Sequence, residues 1–288
     1  MIMNRLKFRL FKSRMLHCSV VLLAALMSVP LLAILGKVAV EGVKNLTPQF
    51  LFQSTPTTYQ ALIAASSGTD IPGGIANGIV GTLLMLLMAS LVSIPVGIFS
   101  GVFLAERHDT AFAKVASYMT DILQGTPSII LGIIVYAWIV IPMRGYSAIA
   151  GSVALGIMML PLIVRSTEEA VKMLPPSLNE AALSLGGSHF FTVCKVILPS
   201  AFGQIFTGTL LAVSRIIGET APLMFTALGC AVVQWNVTRP MSGVPLLIWQ
   251  FFNNPTLQPL LWSASLVLLV IVLLLNVSSK IVANKWKI

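Results

Sequence analysis

Charge is scarce in this chain. Only 9% of its 288 residues are charged and 9 are acidic, against roughly 25% charged residues in a soluble domain. A surface that poor in charge cannot face water on all sides, so a soluble globular fold is excluded. Cysteine is scarce too: Cys18, Cys194 and Cys230 are scattered and form no CxxC pair, which supports neither a disulfide framework nor a metal site. His17, His108 and His189 stand apart from one another. No HExxH, GxSxG or P-loop pattern occurs. Gly36-Lys37 runs into Val38 and lacks the upstream glycine of a nucleotide loop. With no paired nucleophile and base, the chain is expected to have no catalytic residues, metal or cofactor of its own. Its basic residues are not interleaved with aromatics, so nucleic acid is not an expected partner.

Hydrocarbon is what the chain is rich in. Apolar residues make up 57% of it, in continuous runs that match the ~20 residues needed to cross a bilayer as a helix. Continuous rather than alternating runs exclude a β-barrel. The expected fold class is all-α, a polytopic transmembrane bundle of six spans in a lipid bilayer. Residues 1–14 form a basic N-terminal segment. The first span is placed at 15–36, and its apolar run exceeds the roughly 7–15 residues of a signal-peptide core. Residues 37–74 read as a polar external loop, and the core covers 75–283. Within it, spans are expected at 75–105, from Pro127 to Met143, at 148–164, from Ile197 into the 220s, and at 257–282. The stretch 111–123 is amphipathic and expected at the membrane interface. Residues 165–195 form a polar insert, 230–256 a polar, Pro-rich loop and 284–288 a short tail. Gly97-x-x-x-Gly101 permits close packing in the second span, as does Gly74-x-x-x-Gly78 at its start. Pro95 is expected to kink that span.

An even number of spans puts both termini on one side, and the basic residues test this. On the proposed cytoplasmic side lie 13: Arg5, Lys7, Arg9, Lys12, Arg14, Arg107, Lys114, Arg165, Lys172, Lys195, Lys280, Lys285 and Lys287. On the outer side lie 4: Lys37, Lys44, Arg144 and Arg239. The asymmetry accounts for the net charge of +9 and places the polar insert in the cytoplasm.

In that insert Pro175-Pro176 ends one helix. Ser177, with Glu180 three residues on, reads as a capping box. Leu178, Ala181, Ala182 and Leu185 form an apolar stripe at helical spacing. Gly186-Gly187 supplies a left-handed stop, and Pro199 opens the next span near its first turn. Such a helix either lies on lipid or docks against a cytoplasmic partner. The alanines at 181 and 182 permit close approach, whereas a lipid-binding face usually carries bulkier groups.

Glu180-Ala181-Ala182, then Gly186, then Val196-Ile197-Leu198-Pro199 resembles the EAA motif of ABC-importer permeases, with Val196 in place of the usual Ile. The resemblance implies a type I permease-like fold. It implies that Glu180, Ala181, Ala182, Gly186 and Pro199 belong to a coupling helix docked on an ATP-hydrolysing subunit. ATP hydrolysis would then occur in a separate chain.

Arg215 and Glu219 fall inside the fifth span, where charge marks a functional site by default. Four apart on one helical face, they can neutralise each other or line a path for an anion, since the arginine fork suits oxyanions. Asn77-Gly78-Ile79-Val80-Gly81-Thr82, Gly125-Thr126-Pro127-Ser128-Ile129 and Ser214 to Leu223 (SRIIGETAPL) are similar to the phosphate-importer permeases. That resemblance implies a substrate path through Arg215 and Glu219, joined by Arg165, which reads equally as a positive-inside anchor. It implies as partners a homologous permease subunit, two ATP-binding subunits, a periplasmic phosphate-binding protein and inorganic phosphate. It also implies the bacterial inner membrane as the location. A permease for molybdate or sulfate is the alternative. A stand-alone secondary transporter fits less well, because no inverted repeat is visible and Glu219 is essentially the one membrane acid.

Overall fold

The computed structural model describes residues 2–69 and 71–285. The side chains of 2–8, 10, 65 and 283–285 also lie outside the described residues. Arg5, Lys7, Lys285 and Lys287, which were counted toward topology, and the tail expected at 284–288 therefore go untested. No strand occurs among the described residues; one isolated bridge joins Leu228 and Met241.

The long elements are α1 (Ile2–Lys44), α4 (Ala76–Glu106), α8 (Ala148–Lys172), α11 (Leu198–Ile217) and α14 (Gln258–Lys285). Between the first two lie α2 (Pro48–Phe52) and α3 (Thr58–Ser67). Between α4 and α8 lie α5 (Ala111–Gly125), α6 (Ser128–Val135), a π turn at Tyr136–Val140 and α7 (Ile141–Met143). α9 (Pro176–Ser184), α10 (His189–Thr192) and a π turn at Val193–Ile197 precede α11. α12 (Ala221–Thr226) and α13 (Val244–Asn253) separate it from α14. Five stretches are long and apolar enough to cross a membrane, and a sixth span results if the bent pair α5 and Ser128–Met143 is counted as one. The pair bends by 105°. Gly125 and Pro127 cause this break, because proline lacks the N–H and its ring clashes with the carbonyl four residues back.

Small residues build the centre. Along α4 the buried positions Gly81, Met85, Ala89, Ser93, Gly97 and Gly101 recur every fourth residue, so they form one ridge. This ridge packs along α8. A Cβ added at Gly101 would lie 2.6 Å from the Val164 carbonyl oxygen and 2.6 Å from Thr167 Cβ. The Gly97-Gly101 spacing therefore marks a helix contact too close for any side chain. Ser93 Oγ donates to the Gly156 carbonyl at 2.9 Å, adding a polar tie across the same contact. Around it gather Met85, Leu155, Met159, Ile163, Ile216 and Leu223, the main buried cluster.

Several boundaries differ from the sequence reading. α1 (Ile2–Lys44) continues from within the basic segment to beyond 36, because nothing from residue 15 to 44 breaks the helix and Pro30 is absorbed. The stretch 37–74 is no open loop: it holds α2 and α3, the latter closed by a Thr57–Gln60 capping box. The helix expected to stop at Val164 continues to Lys172, since Arg165–Glu168 and Glu168–Lys172 ion pairs at helical spacing support it. The supposed loop 230–256 contains α13, whose Val244, Leu246, Leu247 and Phe251 are buried. Its run VPLLIWQFFN is apolar but too short to span. A charge-poor segment can thus be core without being a span.

The two ends of the bundle are distinct. At one end segment 227–243 is pinned down: Asn77 Nδ2 donates to the Cys230 carbonyl at 2.7 Å, and the Ala148 N–H donates to the Arg239 carbonyl at 3.1 Å. At the other end α9, which follows α8, has no buried residue.

Candidate functional site

The arginine proposed for an anion path stands where α11 stops. Pro222 cannot continue a helix, because its ring would meet the carbonyl of Gly218. The helix therefore ends at Ile217, with Gly218 as its cap. Arg215 occupies the last turn, where its charge also suits the C-terminal dipole. Glu219 lies in the break between α11 and α12. The two are consequently not on one helical face, and no ion pair joins them among the described residues. This corrects the shared helical face expected from their spacing of four; of the two readings that spacing leaves open, the ion pair is absent among the described residues. They instead share the lining of a pocket of about 200 Å³, with Gln124, Thr126 and Ser128 from the α5–α6 bend and Pro161 from α8. α6 is held against α12 closely enough that a Cβ on Gly132 would lie 2.8 Å from Pro222 Cα. Two helix breaks, at Gly125–Pro127 and at Gly218–Pro222, thus face each other across one cavity. It holds a cation, an acid and neutral hydrogen-bonding groups, with apolar walls. Such an arrangement can bind a small oxyanion through charge-assisted hydrogen bonds.

Arg165 sits elsewhere. It is not among the residues lining this pocket. Its Nη1 donates to Glu168 Oε2 at 2.6 Å, its Nη2 to Ser117 Oγ at 2.8 Å, and its Nε to Asp121 Oδ1 at 3.1 Å. Lys172 meets the other oxygen of Glu168 at 2.7 Å. Glu168 is 8% exposed. Glu168 and its neighbour Glu169 therefore lie within a helix of membrane-crossing length, whereas Glu219, expected as essentially the one membrane acid, lies in a break. The cluster clips α5 to α8. The spacing Arg165, Glu168, Lys172 is visible in the sequence; Asp121, 44 residues away, gives no such signal.

The insert folds as a compact projection. The expected Ser177–Glu180 capping box does not form: the helix begins one residue earlier, with Pro176 in its first turn, Pro175 as N-cap and no side-chain cap. Proline's fixed φ is already helical at that position. The glycine stop does form. Gly186 has φ +82°, its N–H donates to the Leu183 carbonyl, and the Gly187 N–H donates to that of Ala182. This is the paired closure of a Schellman turn. Leu178, Ala181, Ala182, Leu185, Gly186 and Phe191 line one open hollow of about 760 Å³. Pro199 stands in the first turn of α11, but the helical run that contains it begins earlier, at His189. The π turn at Val193–Ile197 precedes Pro199, and such insertions are where a ladder accommodates a missing donor. His189, isolated in the sequence, has Nε2 3.0 Å from Glu106 Oε2.

These features define a multi-pass helical membrane protein with a charged cavity between its spans. The chain belongs to the family of binding-protein-dependent transport system inner membrane components, which matches residues 93–288. It is therefore an inner-membrane protein that works with a binding protein. Among its relatives is the phosphate transport system permease protein PstA of Yersinia pestis, 38% identical and covering 75% of this chain and 74% of that protein. The PstA of Xylella fastidiosa strain Temecula1 is 41% identical over 75% of this chain and 77% of its own. That of Pasteurella multocida is 34% identical over 86% of each. Among solved structures, the MetNI methionine ABC transporter in an inward-facing conformation matches with a TM-score of 0.59 at 19% identity. The match covers 75% of this chain and 95% of that one, a likeness of fold.

Proposed function

We propose that the chain is the membrane-spanning permease subunit of an ATP-driven importer of inorganic phosphate. The observation that carries this reading is the cavity at the two helix breaks. Arg215 and Glu219 line it without pairing, in a chain whose relatives are named for phosphate transport. Arg215 offers a planar donor fork to the anion. Glu219 opposes the bound anion's charge and so favours release, which a transporter needs as much as binding. Arg165 has a different part in this reading: its guanidinium holds α5 against α8 and so fixes the bend that contributes Gln124, Thr126 and Ser128. α9, with Glu180, Ala181, Ala182 and Gly186, docks in a groove of an ATP-binding subunit. Pro199 and the π turn before it carry that motion into α11.

The assembly contains a homologous permease as the second half of a heterodimer, two ATP-binding subunits and a periplasmic phosphate-binding protein. Both termini and 165–195 face the cytoplasm, 37–74 faces the periplasm, and 75–283 forms the transport core. The 13 to 4 division of basic residues supports that orientation.

Radiolabelled phosphate uptake in a strain deleted for this chain tests the reading. Uptake returns when the chain is restored, and excess molybdate or sulfate does not compete. Uptake that is unaffected by the deletion, or that competes equally with molybdate, removes phosphate as the substrate. Gly186→Val tests the docking segment. A β-branched residue at φ +82° costs about 1–3 kcal/mol of local strain and should distort α9. Uptake is lost while the protein remains in the membrane; normal coupled uptake would refute docking through α9.

A further inference from the structure

We propose that the Glu106–His189 contact is a positioning strap that makes α4 follow the docking segment, so that α9 drives two spans rather than one. The inference rests on the reading of α9 as the ATPase-docking helix. α9 has no buried residue and packs against α10 and the π turn that follows. Whatever moves α9 therefore acts first on α10. From there one route is covalent, through the π turn into α11, which carries Arg215.

A second route starts at His189, the first residue of α10. Its Nε2 lies 3.0 Å from Oε2 of Glu106, the last residue of α4. The Glu106 side chain is only 12% exposed, and its other oxygen is buried with no partner among the described residues. A carboxylate so placed depends on its one partner, because an unpaired buried charge is costly. A protonated imidazole makes the contact an ion pair. Around it, Val102 of α4 belongs to the same buried cluster as Ile197 and Ala201. α4 in turn packs closely along α8 through Gly97 and Gly101, and α8 contributes Pro161 and Leu162 to the Arg215 cavity. The strap thus joins the docking segment to both walls of the cavity.

The test uses the assembled transporter in proteoliposomes with its binding protein and inorganic phosphate. It measures ATPase retention, ATP hydrolysis and phosphate transported per ATP. His189→Ala is expected to retain the ATPase and hydrolyse ATP at a rate close to the native one. Phosphate moved per ATP should fall about fivefold, within the range for substitutions along a coupling path. His189→Gln, whose amide can donate to Glu106, should restore most of that ratio. An unchanged ratio in His189→Ala overturns the strap. So does loss of the ATPase from that variant, which would make His189 part of the docking surface. Failure of the docking reading is separately visible: a cysteine placed at Ser184 would then give no cross-link to the ATPase in the otherwise native complex.

Discussion

Two arginines, Arg165 in α8 and Arg215 in α11, lie within the core of this protein, and they are used in opposite ways. Arg165 is spent. Its guanidinium reaches Glu168, Ser117 and Asp121, its side chain is 23% exposed, and its partners come from two helices. Arg215 is exposed in the isolated chain and lines a cavity with Glu219, and no side-chain hydrogen bond or ion pair ties it down among the described residues. The difference follows from backbone context. Arg165 sits in an unbroken stretch of α8, where Glu168 and Lys172 recur on the same side and α5 supplies Asp121. Arg215 sits at a helix end created by Gly218 and Pro222, and that break carries Glu219 off the face where it would have paired. A charge on a continuous helix finds a partner at helical spacing. The same charge beside a break can be left available for a ligand.

If that contrast is correct, the two arginines fail differently. Arg165→Met should act on stability. It leaves Glu168 buried with Lys172 as its remaining partner. The loss should be about 3 kcal/mol, the lower end for breaking a buried ion pair, because Asp121 and Lys172 are themselves accessible. Thermal unfolding in detergent reads this directly. The paired change Arg165→Met with Glu168→Met should recover most of it, since apolar replacement of both partners removes the stranded charge. A stable single variant that has lost uptake would instead make Arg165 part of the anion path.

Arg215→Gln should leave the melting temperature and assembly close to native and reduce phosphate uptake about a hundredfold. That is the scale of removing one donor from a site built for an oxyanion. A variant that assembles and transports normally would erase the contrast between the two arginines.

Much of this is legible in the sequence, and the exceptions are contacts between distant segments and misread local breaks. Continuous apolar runs point to the spans because bilayer thickness fixes their length. Gly186 announced its left-handed turn because few other residues accept that backbone. What could not be read depends on which residues meet across helices. Asp121 and Arg165 are 44 positions apart, and Glu106 and His189 belong to different elements. α13 was mistaken for loop because it is apolar yet too short to span. The shared face expected of Arg215 and Glu219 fails for a local reason: spacing of four implies one face only while the helix continues, and Pro222 signals that it does not.

The finest distinction concerns the acid beside each arginine. Asp121 is bonded to its arginine, whereas Glu219 only shares a cavity with one, so neutralising Glu219 should change ligand binding and leave packing alone. Glu219→Gln removes a negative charge from the wall around the anion. Charges separated by a water-accessible pocket interact by less than about 1 kcal/mol, so the apparent KM for phosphate should fall by a modest factor of about three. The maximal rate should fall with it, because the group that favours release is gone. Initial rates of phosphate uptake over a concentration series separate the two effects. A KM that rises would mean that Glu219 holds Arg215 or the substrate in place, and the acid would then belong with Asp121 as a structural partner.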